Sequence, residues 1–487
     1  MVSSPRPRSQ TGAPKEQAIH IKDIDAVIGA GDISGPVDVV IQDGRIASIG
    51  RGLVAPEGAK LINGRGQLLA PGLVNAHWHS PMQVEPGTAD RLDHQRVMWL
   101  NQANTARRTS DEIYASALLG CLQMLRSGTT AVMDHFPEQQ FGVEDVAAVV
   151  RAYEDCGMRA VVALRIFDGE YSDIMPQGSA ATPELLSAID KSNPLRPRPL
   201  EETLDVCRES ITRFDRHQDR IRVFTAPSNP VRCSDALLVA CQELAQAHDG
   251  GVHCHLLETQ AQVDIARRLY GRSVVEHLVD LGCMDQRWSC AHCNWVTVND
   301  MALMGARGAI AVLNPESNLK IGSGIPPVPD LLANGVVCAL GTDGVITNDN
   351  LILQEAMQLT AMLHRAGEAD RGRWTTVEQV IDMATVGGAK AMLEPELGRI
   401  APGQRADLVL YDLSAPWWIP LNSPEQQFVF GERGSSVRTA IVDGRVVLDE
   451  DGVVGVDEAA VLEEARAILG ASQRRNSDIL EIADRFA

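Results

Sequence analysis

The stretch LLAPGLVNAHWH, residues 68–79, decides the fold, because a run of apolar, β-type residues ends there in His77 and His79. Side chains two residues apart on a strand point to the same face, so these two imidazoles can chelate one ion. A single His-x-His pair is a weak signal, since a hydrogen-bonded core histidine is its ordinary alternative. The stretch therefore predicts a buried strand with a polar carboxyl end. A metal site would require similar polar residues at the ends of other strands.

The same pattern recurs along the chain. Polar side chains follow further apolar runs, as His253, His255 and Glu258 do in GVHCHLLE (251–258), His292 in WSCAHC (288–293) and Asp343 in VVCALGTD (336–343). Helical stretches separate the strands, and one begins with the capping-box spacing Thr109-x-x-Glu112. Strands and helices that alternate over about 320 residues predict an α/β fold with a parallel (β/α)8 TIM-type barrel. A doubly wound open sheet is the alternative.

The two chain ends carry a different pattern. VVIQDGRIASIG (39–50) and TAIVDGRVVLDEDG (439–452) each place an Asp-Gly turn between apolar runs, which is typical of hairpins. We predict one small β-sandwich domain formed from both chain ends; two unrelated hairpins are the alternative. The predicted organisation is a disordered tail at 1–17, the composite β domain at 18–70 and 394–455, the barrel at 71–393, and a helical segment at 456–487 for packing or oligomer contact.

Composition limits the partners. The 487 residues include 44 Lys and Arg against 64 Asp and Glu, a net charge of −20, which argues against nucleic acid or an anionic membrane. There is no apolar run of about 20 residues and no leader-like start. Ten cysteines without a C-x-x-C pair indicate reduced core residues. We therefore expect a cytoplasmic protein with a small-molecule partner and neither nucleic acid nor membrane.

The polar strand ends together suit a metal site. Five of the twelve histidines lie there with one Asp and one Glu, and imidazoles with one carboxylate and an open position suit Zn²⁺ or Fe²⁺ in hydrolysis. Such a metal lowers the pKa of a bound water, and a nearby carboxylate must then move protons to the leaving group. Glu258 is placed for that task, because it follows His255 where the strand gives way to its loop.

Long motifs extend these observations. PGLVNAHWH, HCHLLE, LNPESNLKIGSG, PPVPDLLANG, LGTDG and GRIAPGQRADLVLYD together resemble the amidohydrolase superfamily over about residues 20–450. More narrowly, they resemble its mononuclear deaminase branch, which includes guanine, 8-oxoguanine, methylthioadenosine/adenosylhomocysteine and s-triazine aminohydrolases. The resemblance also suggests a homodimer or higher homo-oligomer.

Roles follow from the resemblance residue by residue. It implies metal ligands at His77, His79, His255 and Asp343. Glu258 matches the proton shuttle, His292 matches the histidine that polarises the substrate or leaving group, and Asp343 also takes a proton from the attacking water. Binuclear members carry a carboxylated Lys on the fourth strand, whereas RIRVFTAPSNP (220–230) has none. We therefore expect one divalent metal, Zn²⁺ ahead of Fe²⁺.

Departures from the family pattern concern the substrate. Thr225 stands where the nucleoside deaminases carry a His, and the loop after His79 lacks their I-x-P-x-E stretch, whose Glu is associated with ribose binding. Both departures count against a methylthioadenosine-type substrate. Asp134-His135-Phe136 is similar to the D-H-H of 8-oxoguanine and hydroxytriazine aminohydrolases.

Candidate substrate contacts are therefore His135, Gln83 and His292. For His135 the alternative is a surface or supporting histidine. His253 either orients a ligand or is a buried, hydrogen-bonded histidine without a role. Ser317 and Asn318 are expected to shape a loop.

The predicted function is a metal-dependent hydrolytic deaminase. It would release ammonia or an amine from an amino-substituted purine, pterin, pyrimidine or s-triazine. The first alternative is an amide, urea or carbamate hydrolase, or a triazine chlorohydrolase, that uses the same metal. The second alternative is a non-catalytic scaffold on this fold.

Overall fold

The computed structural model describes residues 17–31, 33, 35–137, 141–174, 183–192 and 196–483. The tail predicted at 1–17 lies outside these residues except for Gln17. The strands are β1 (Ile19–Ile24), β2 (Ala26–Val27), β3 (Val37–Gln42), β4 (Arg45–Gly50), β5 (Lys60–Asn63), β6 (Gln67–Pro71), β7 (Leu73–Trp78), β8 (Thr129–Phe136), β9 (Arg159–Ile166), β10 (Ile221–Pro227), β11 (Val252–Leu256), β12 (Trp288–His292), β13 (Ile310–Leu313), β14 (Val337–Leu340), β15 (Leu408–Asp412), β16 (Val437–Val442), β17 (Arg445–Asp449) and β18 (Gly452–Val453).

The helices are α1 (His94–Thr105), α2 (Ser110–Arg126), α3 (Val143–Cys156), α4 (Pro183–Ser192), α5 (Leu200–Phe214), α6 (Asp235–Ala247), α7 (Gln260–Tyr270), α8 (Val274–Asp280), α9 (Val298–Arg307), α10 (Pro315–Lys320), α11 (Val328–Ala333), α12 (Val345–Asn348), α13 (Leu353–Met362), α14 (Val377–Asp382), α15 (Gly388–Ala391), α16 (Pro424–Phe430), α17 (Glu458–Arg475) and α18 (Ser477–Ala483). No helix among the described residues is both long and apolar enough to cross a membrane.

Strands β7–β14 form the barrel. Each strand pairs in parallel with the next along the chain, from β7 to β14. The backbone amides of Thr342 and Asp343 donate to the carbonyl of His77 at 3.2 and 3.0 Å, which brings the end of the eighth strand to the first. A doubly wound sheet would reverse its strand order midway, and this sheet does not. The predicted (β/α)8 barrel is confirmed.

The chain ends build two further sheets. One has the order β4-β3-β1-β5, and the other, β18-β17-β16-β15-β6-β2, joins strands from both ends. Ile21, Leu69, Leu408 and Ile441 belong to one buried apolar cluster that both sheets share. The sandwich predicted from both chain ends is therefore observed, while the exact domain boundaries remain a prediction.

The helices surround the barrel, and their ends follow local signals. Thr109 caps α2, where its side chain and that of Glu112 form the predicted capping box. Gly157 ends α3 with φ +74°, a conformation that costs glycine little. The predicted C-terminal helical segment is α17 and α18, which pack on α2 and α1. Helix α1, by contrast, had no counterpart in the sequence reading.

Candidate active site

The ends of three strands bring the expected metal ligands together. His77 lies in β7, His79 follows that strand, His255 lies in β11 and Asp343 follows β14. Asp343 Oδ1 lies 3.5 Å from His77 Nε2 and 3.3 Å from His79 Nε2. The Nε2 atoms of His79 and His255 lie 3.3 Å apart. A tetrahedral ion bonded at about 2.1 Å requires ligand atoms about 3.4 Å apart, so the donor set fits a metal of this kind.

Hydrogen bonds behind the ligands orient their rings. The Nδ1 of His255 lies 2.6 Å from the carbonyl of Ser228, and since a carbonyl only accepts, Nδ1 carries the proton and Nε2 presents its lone pair. His77 Nδ1 lies 2.7 Å from His253 Nε2, and His253 Nδ1 lies 2.7 Å from Ser289 Oγ. His253 therefore orients His77, a predicted ligand, which agrees with the first of the two alternatives that the sequence left open.

The same environment sets the charges. Burial lowers the pKa of His77 to about 4, and burial followed by repulsion from neighbouring histidines holds the pKa of His255 well below its usual value. Burial raises the pKa of Asp343, but hydrogen bonds with His77 and His79 outweigh it and lower the pKa well below the usual range. A histidine binds a divalent metal when its imidazole is neutral, and an aspartate does so when its carboxylate is ionised, so these side chains have the protonation states that metal binding requires.

Asp343 is fixed by its own loop and by a side chain of α10. Its φ is +59°, an unusual conformation for a residue with a side chain. The amide of Gly344 donates to Oδ1 at 2.8 Å, and the hydroxyl of Ser317 donates to Oδ2 at 2.6 Å. Ser317 and Asn318 lie in the helix α10 and not in the loop that the sequence led us to expect, and Ser317 orients a predicted ligand.

His292 is held through two asparagines. The Nδ2 of Asn294 donates to the backbone carbonyl of Glu258 at 2.9 Å, and its Oδ1 accepts from Asn318 Nδ2 at 2.8 Å. That orientation turns Asn318 Oδ1 toward His292 Nδ1 at 2.9 Å, so Nδ1 is the donor. His292 Nε2 then faces Glu258, with 3.9 Å between Nε2 and Oε2.

Glu258 is the carboxylate at the mouth of the site. It is 5% exposed and follows Leu257, whose φ is +47°. Burial raises its pKa, but nearby His292 and His94 outweigh burial and lower the pKa to about 2. The backbone amide of Glu258 donates to Gln262 Oε1 at 2.7 Å, which fixes the start of α7 against the site.

An open cavity leads to these groups. Its walls come from the strand ends, from the segment after β10, from the start of α7 and from one face of α1. The lining includes His79, His255, Glu258, His292, Asp343, His94, Gln95, Met98, Gln102, Arg165, Asn229 and Arg232. The sequence reading missed His94 and the rest of α1; the Asp93 cap, which accepts from the amide of Arg96, was the available signal.

Two predicted substrate contacts lie away from that lining. His135 is fully buried; its ring stacks on that of His255 with centroids 4.4 Å apart, and neither ring nitrogen has a hydrogen-bond partner among the described residues. It can join His77 and His255 in a three-nitrogen group. Gln83 is 1% exposed in the segment after His79 and does not line the cavity. Of the three candidates, only His292 lines it.

Comparisons with known proteins agree with this geometry. The model of the amidohydrolase family matches residues 68–447. The chain belongs to the amidohydrolase family. A 5′-deoxyadenosine deaminase of Methanothermobacter thermautotrophicus is 34% identical over 432 residues, which cover 88% of this chain and 93% of the relative. A 5-methylthioadenosine/S-adenosylhomocysteine deaminase of Syntrophobacter fumaroxidans is 34% identical over 440 residues, 89% and 93% of the two chains.

Two solved structures share the fold along nearly the whole chain. An adenosine deaminase from Xanthomonas campestris with bound zinc superposes with a TM-score of 0.81 at 26% identity and covers 95% of this chain and 100% of its own. An atrazine chlorohydrolase from Arthrobacter aurescens TC1 complexed with zinc gives a TM-score of 0.81 at 21% identity, with 93% and 100% covered. The second likeness concerns the fold alone.

The structure weakens one sequence argument about the substrate. On β10, Phe224 and Ala226 belong to the cluster inside the barrel, so Thr225 between them points outward, and its hydroxyl donates to the carbonyl of Cys241 on α6 at 3.3 Å. Thr225 therefore cannot contact a substrate in the cavity. Its identity does not count against a methylthioadenosine-type substrate, and Ser228 and Asn229 line the cavity instead.

Proposed function

We propose that this member of the amidohydrolase family is a hydrolytic deaminase that removes the 6-amino group of adenine nucleosides altered at the 5′ position. Two relatives with deaminase names, each 34% identical along nearly the whole chain, support this substrate class. The position of Glu258 carries the proposal: its carboxylate lines the cavity beside three predicted ligands and faces His292.

The proposed metal is a single zinc ion held by His77, His79, His255 and Asp343. Their mutual spacing and protonation suit a tetrahedral N/O site, and zinc in related structures supports this choice over Fe²⁺. Such a metal lowers the pKa of a coordinated water so that it can attack an amidine-type ring carbon near neutral pH. Elemental analysis of protein purified without added metal distinguishes zinc from iron.

The protons are moved by the chain's own carboxylates. Asp343 Oδ1 faces the ligand nitrogens, so this carboxylate is placed to receive a proton from the attacking water. Glu258 is placed to protonate the ring nitrogen and, later, the departing amine, because its carboxylate opens onto the cavity. His292 Nε2 faces the same space and can stabilise charge that develops on the substrate.

The decisive experiment measures ammonia release. The panel should contain 5′-deoxyadenosine, methylthioadenosine, adenosylhomocysteine, adenosine, guanine, 8-oxoguanine, an amino-s-triazine and a chloro-s-triazine, with chloride release followed in parallel. We expect ammonia from the 5′-altered adenine nucleosides at the highest kcat/KM. Preference for a free base, or chloride without ammonia, would contradict the proposal.

A catalytic control separates this reaction from contamination. Glu258→Gln keeps the size of the side chain but cannot shuttle a proton, so kcat should fall by about 10³-fold while the metal content stays at the wild-type value. Near-normal turnover in this variant would remove Glu258 from the mechanism.

The cytoplasmic location and the homo-oligomer also stay proposals. An ordinary complement of buried, reduced cysteines supports the first. The oligomeric state can be measured by light scattering on the full chain.

A further inference from the structure

Glu258 has a second histidine neighbour, which lies closer than His292. His94 Nε2 lies 3.1 Å from Glu258 Oε2, whereas His292 Nε2 lies 3.9 Å from the same oxygen. His94 is the first residue of α1 and lies 164 positions from Glu258 in the chain. Its side chain is 17% exposed and lines the cavity.

The chemistry of the pair assigns the donor. A carboxylate can only accept, so the His94 Nε2–H donates to Oε2. Burial lowers the pKa of His94, but the charge and hydrogen bond of Glu258 outweigh burial, and the net pKa is raised. The titratable groups that face the pair are His292 and Asp343 on the barrel side and Asp93 at the start of α1. The contact therefore fixes one carboxylate oxygen on the side of α1.

Helix α1 is held firmly enough to place this donor. The indole Nε1 of Trp99 donates to the carbonyl of Ile479 at 3.3 Å. Asn476 Nδ2 donates to the carbonyls of Ala103 and Ala106 at 2.9 and 2.8 Å, which satisfies the last turn of α1. The C-terminal helices thus fix the wall of the cavity that carries His94.

We propose that His94 is a positioning residue for Glu258: its Nε2–H holds Oε2 toward α1, so that the carboxylate stays aimed into the cavity and does not turn toward the ligand histidines. This inference rests on the proposed deaminase function. His94 keeps its own proton throughout. Glu258 carries one proton of the attacking water to the ring nitrogen, and the second proton, received by Asp343, reaches the departing amine through Glu258. No further reactant is needed.

The test compares two substitutions at one position in the full-length, metal-loaded protein. His94→Phe fills the space without a donor, and kcat should fall by about 10- to 100-fold with KM changed less than about threefold. His94→Gln restores an N–H at similar reach and should recover most of the lost kcat. Metal content and melting temperature should match the wild type in both variants. Arg96→Gln, on the same helix and outside the cavity lining, should leave kcat unchanged.

A double substitution shows whether His94 acts through Glu258. In the Glu258→Gln background, His94→Phe should lower kcat by less than about twofold, because no carboxylate is left to position. Wild-type kcat in His94→Phe, or a full additional loss in the double variant, would overturn the inference. If the wild-type protein releases no ammonia from any nucleoside, the proposed deaminase function is wrong. That result differs from normal kcat in His94→Phe, which would leave the function intact and reject only the role of His94.

Discussion

Buried polar side chains gather at both ends of the barrel strands, and the two groups are built in opposite ways. The base cluster, at the start of the strands, consists of Arg159, Arg405, Asp407 and Asp443. Arg159 makes a bidentate pair with Asp407 at 2.9 and 3.0 Å and reaches Asp443 at 3.3 Å. Arg405 donates to the same Asp443 at 2.9 Å. Opposite charges in the base cluster therefore face each other directly.

The ligand cluster, at the opposite ends, consists of His77, His79, His255 and Asp343. Its hydrogen bonds run outward, from His77 to His253 and from His255 to Ser228, while the inner nitrogens face one another. The base cluster pairs opposite charges within the chain itself, whereas the ligand cluster turns imidazole nitrogens and one carboxylate toward one point, where we propose a cation. The base cluster ties the barrel to the β domain, and the ligand cluster is the group to which we assign the proposed chemistry.

The largest expected effect comes from removing a ligand. His255→Ala deletes one of the converging nitrogens, so we expect loss of stoichiometric metal and a fall in kcat/KM of about 10³-fold or more. The fold should survive, because the deleted ring serves the ion more than the barrel. Metal analysis and circular dichroism measure the two parts. His248→Ala, at an exposed position, is the matched control, and a fully active His255→Ala would remove this residue from the metal centre.

Breaking the base cluster should lower the stability of the fold and leave metal content and kcat unchanged, the opposite of the result expected for His255→Ala. Arg159→Met leaves the buried carboxylates of Asp407 and Asp443 without their main partner, and we expect the free energy of unfolding to fall by about 3–5 kcal/mol. The folded fraction should keep its metal and its kcat. Arg126→Met, which breaks the exposed pair with Glu458, should cost less than about 1 kcal/mol. Denaturant unfolding of both variants gives the comparison, and equal losses would mean that the base cluster is no more important than a surface pair.

The sequence was sufficient to predict that the side chains of the ligand cluster converge, because strand periodicity and strand ends are local signals. His77 and His79 share a face by spacing alone, and Asp343 closes an apolar run. Helix α1 could not be found in this way. In HQRVMWLNQANT the polar residues Asn101 and Asn104 are buried together with Trp99, because α1 lies between the barrel and the C-terminal helices. A helix buried on several faces has no apolar stripe to reveal it.

The sequence did not reveal that the side chain of Thr225 points out of the barrel, and the reason is related. On a strand, a shift of one residue exchanges inside for outside, and motif resemblance does not fix that register. The hydrogen bond from His94 to Glu258 joins residues far apart in the chain, so no local pattern could indicate it. Tertiary placement, and not residue type, decided both cases.

The smallest expected effect concerns Glu316, which belongs to neither cluster. Neither of its carboxylate oxygens has a hydrogen-bond partner among the described residues, and burial raises its pKa to about 8. Because the pKa of Glu316 is higher in the folded than in the unfolded protein, the folded state retains a proton that the unfolded state loses. The protein therefore loses stability as the pH rises from about 4.5 through about 8. Glutamine stays neutral, so Glu316→Gln should match the wild type near pH 5 and exceed it by about 1–3 kcal/mol at pH 9.

Urea unfolding at pH 5, 7 and 9 measures this difference, with the exposed Glu464→Gln as control. A difference that does not change with pH would mean that Glu316 is ionised in the folded state. Measuring kcat of Glu316→Gln shows whether the unsatisfied carboxylate matters only for stability or also for the reaction. An unchanged kcat at pH 7 would mean that burial of Glu316 only destabilises the packing of α10. A lower kcat would mean that Glu316 also contributes to the reaction, in addition to the residues of the ligand cluster.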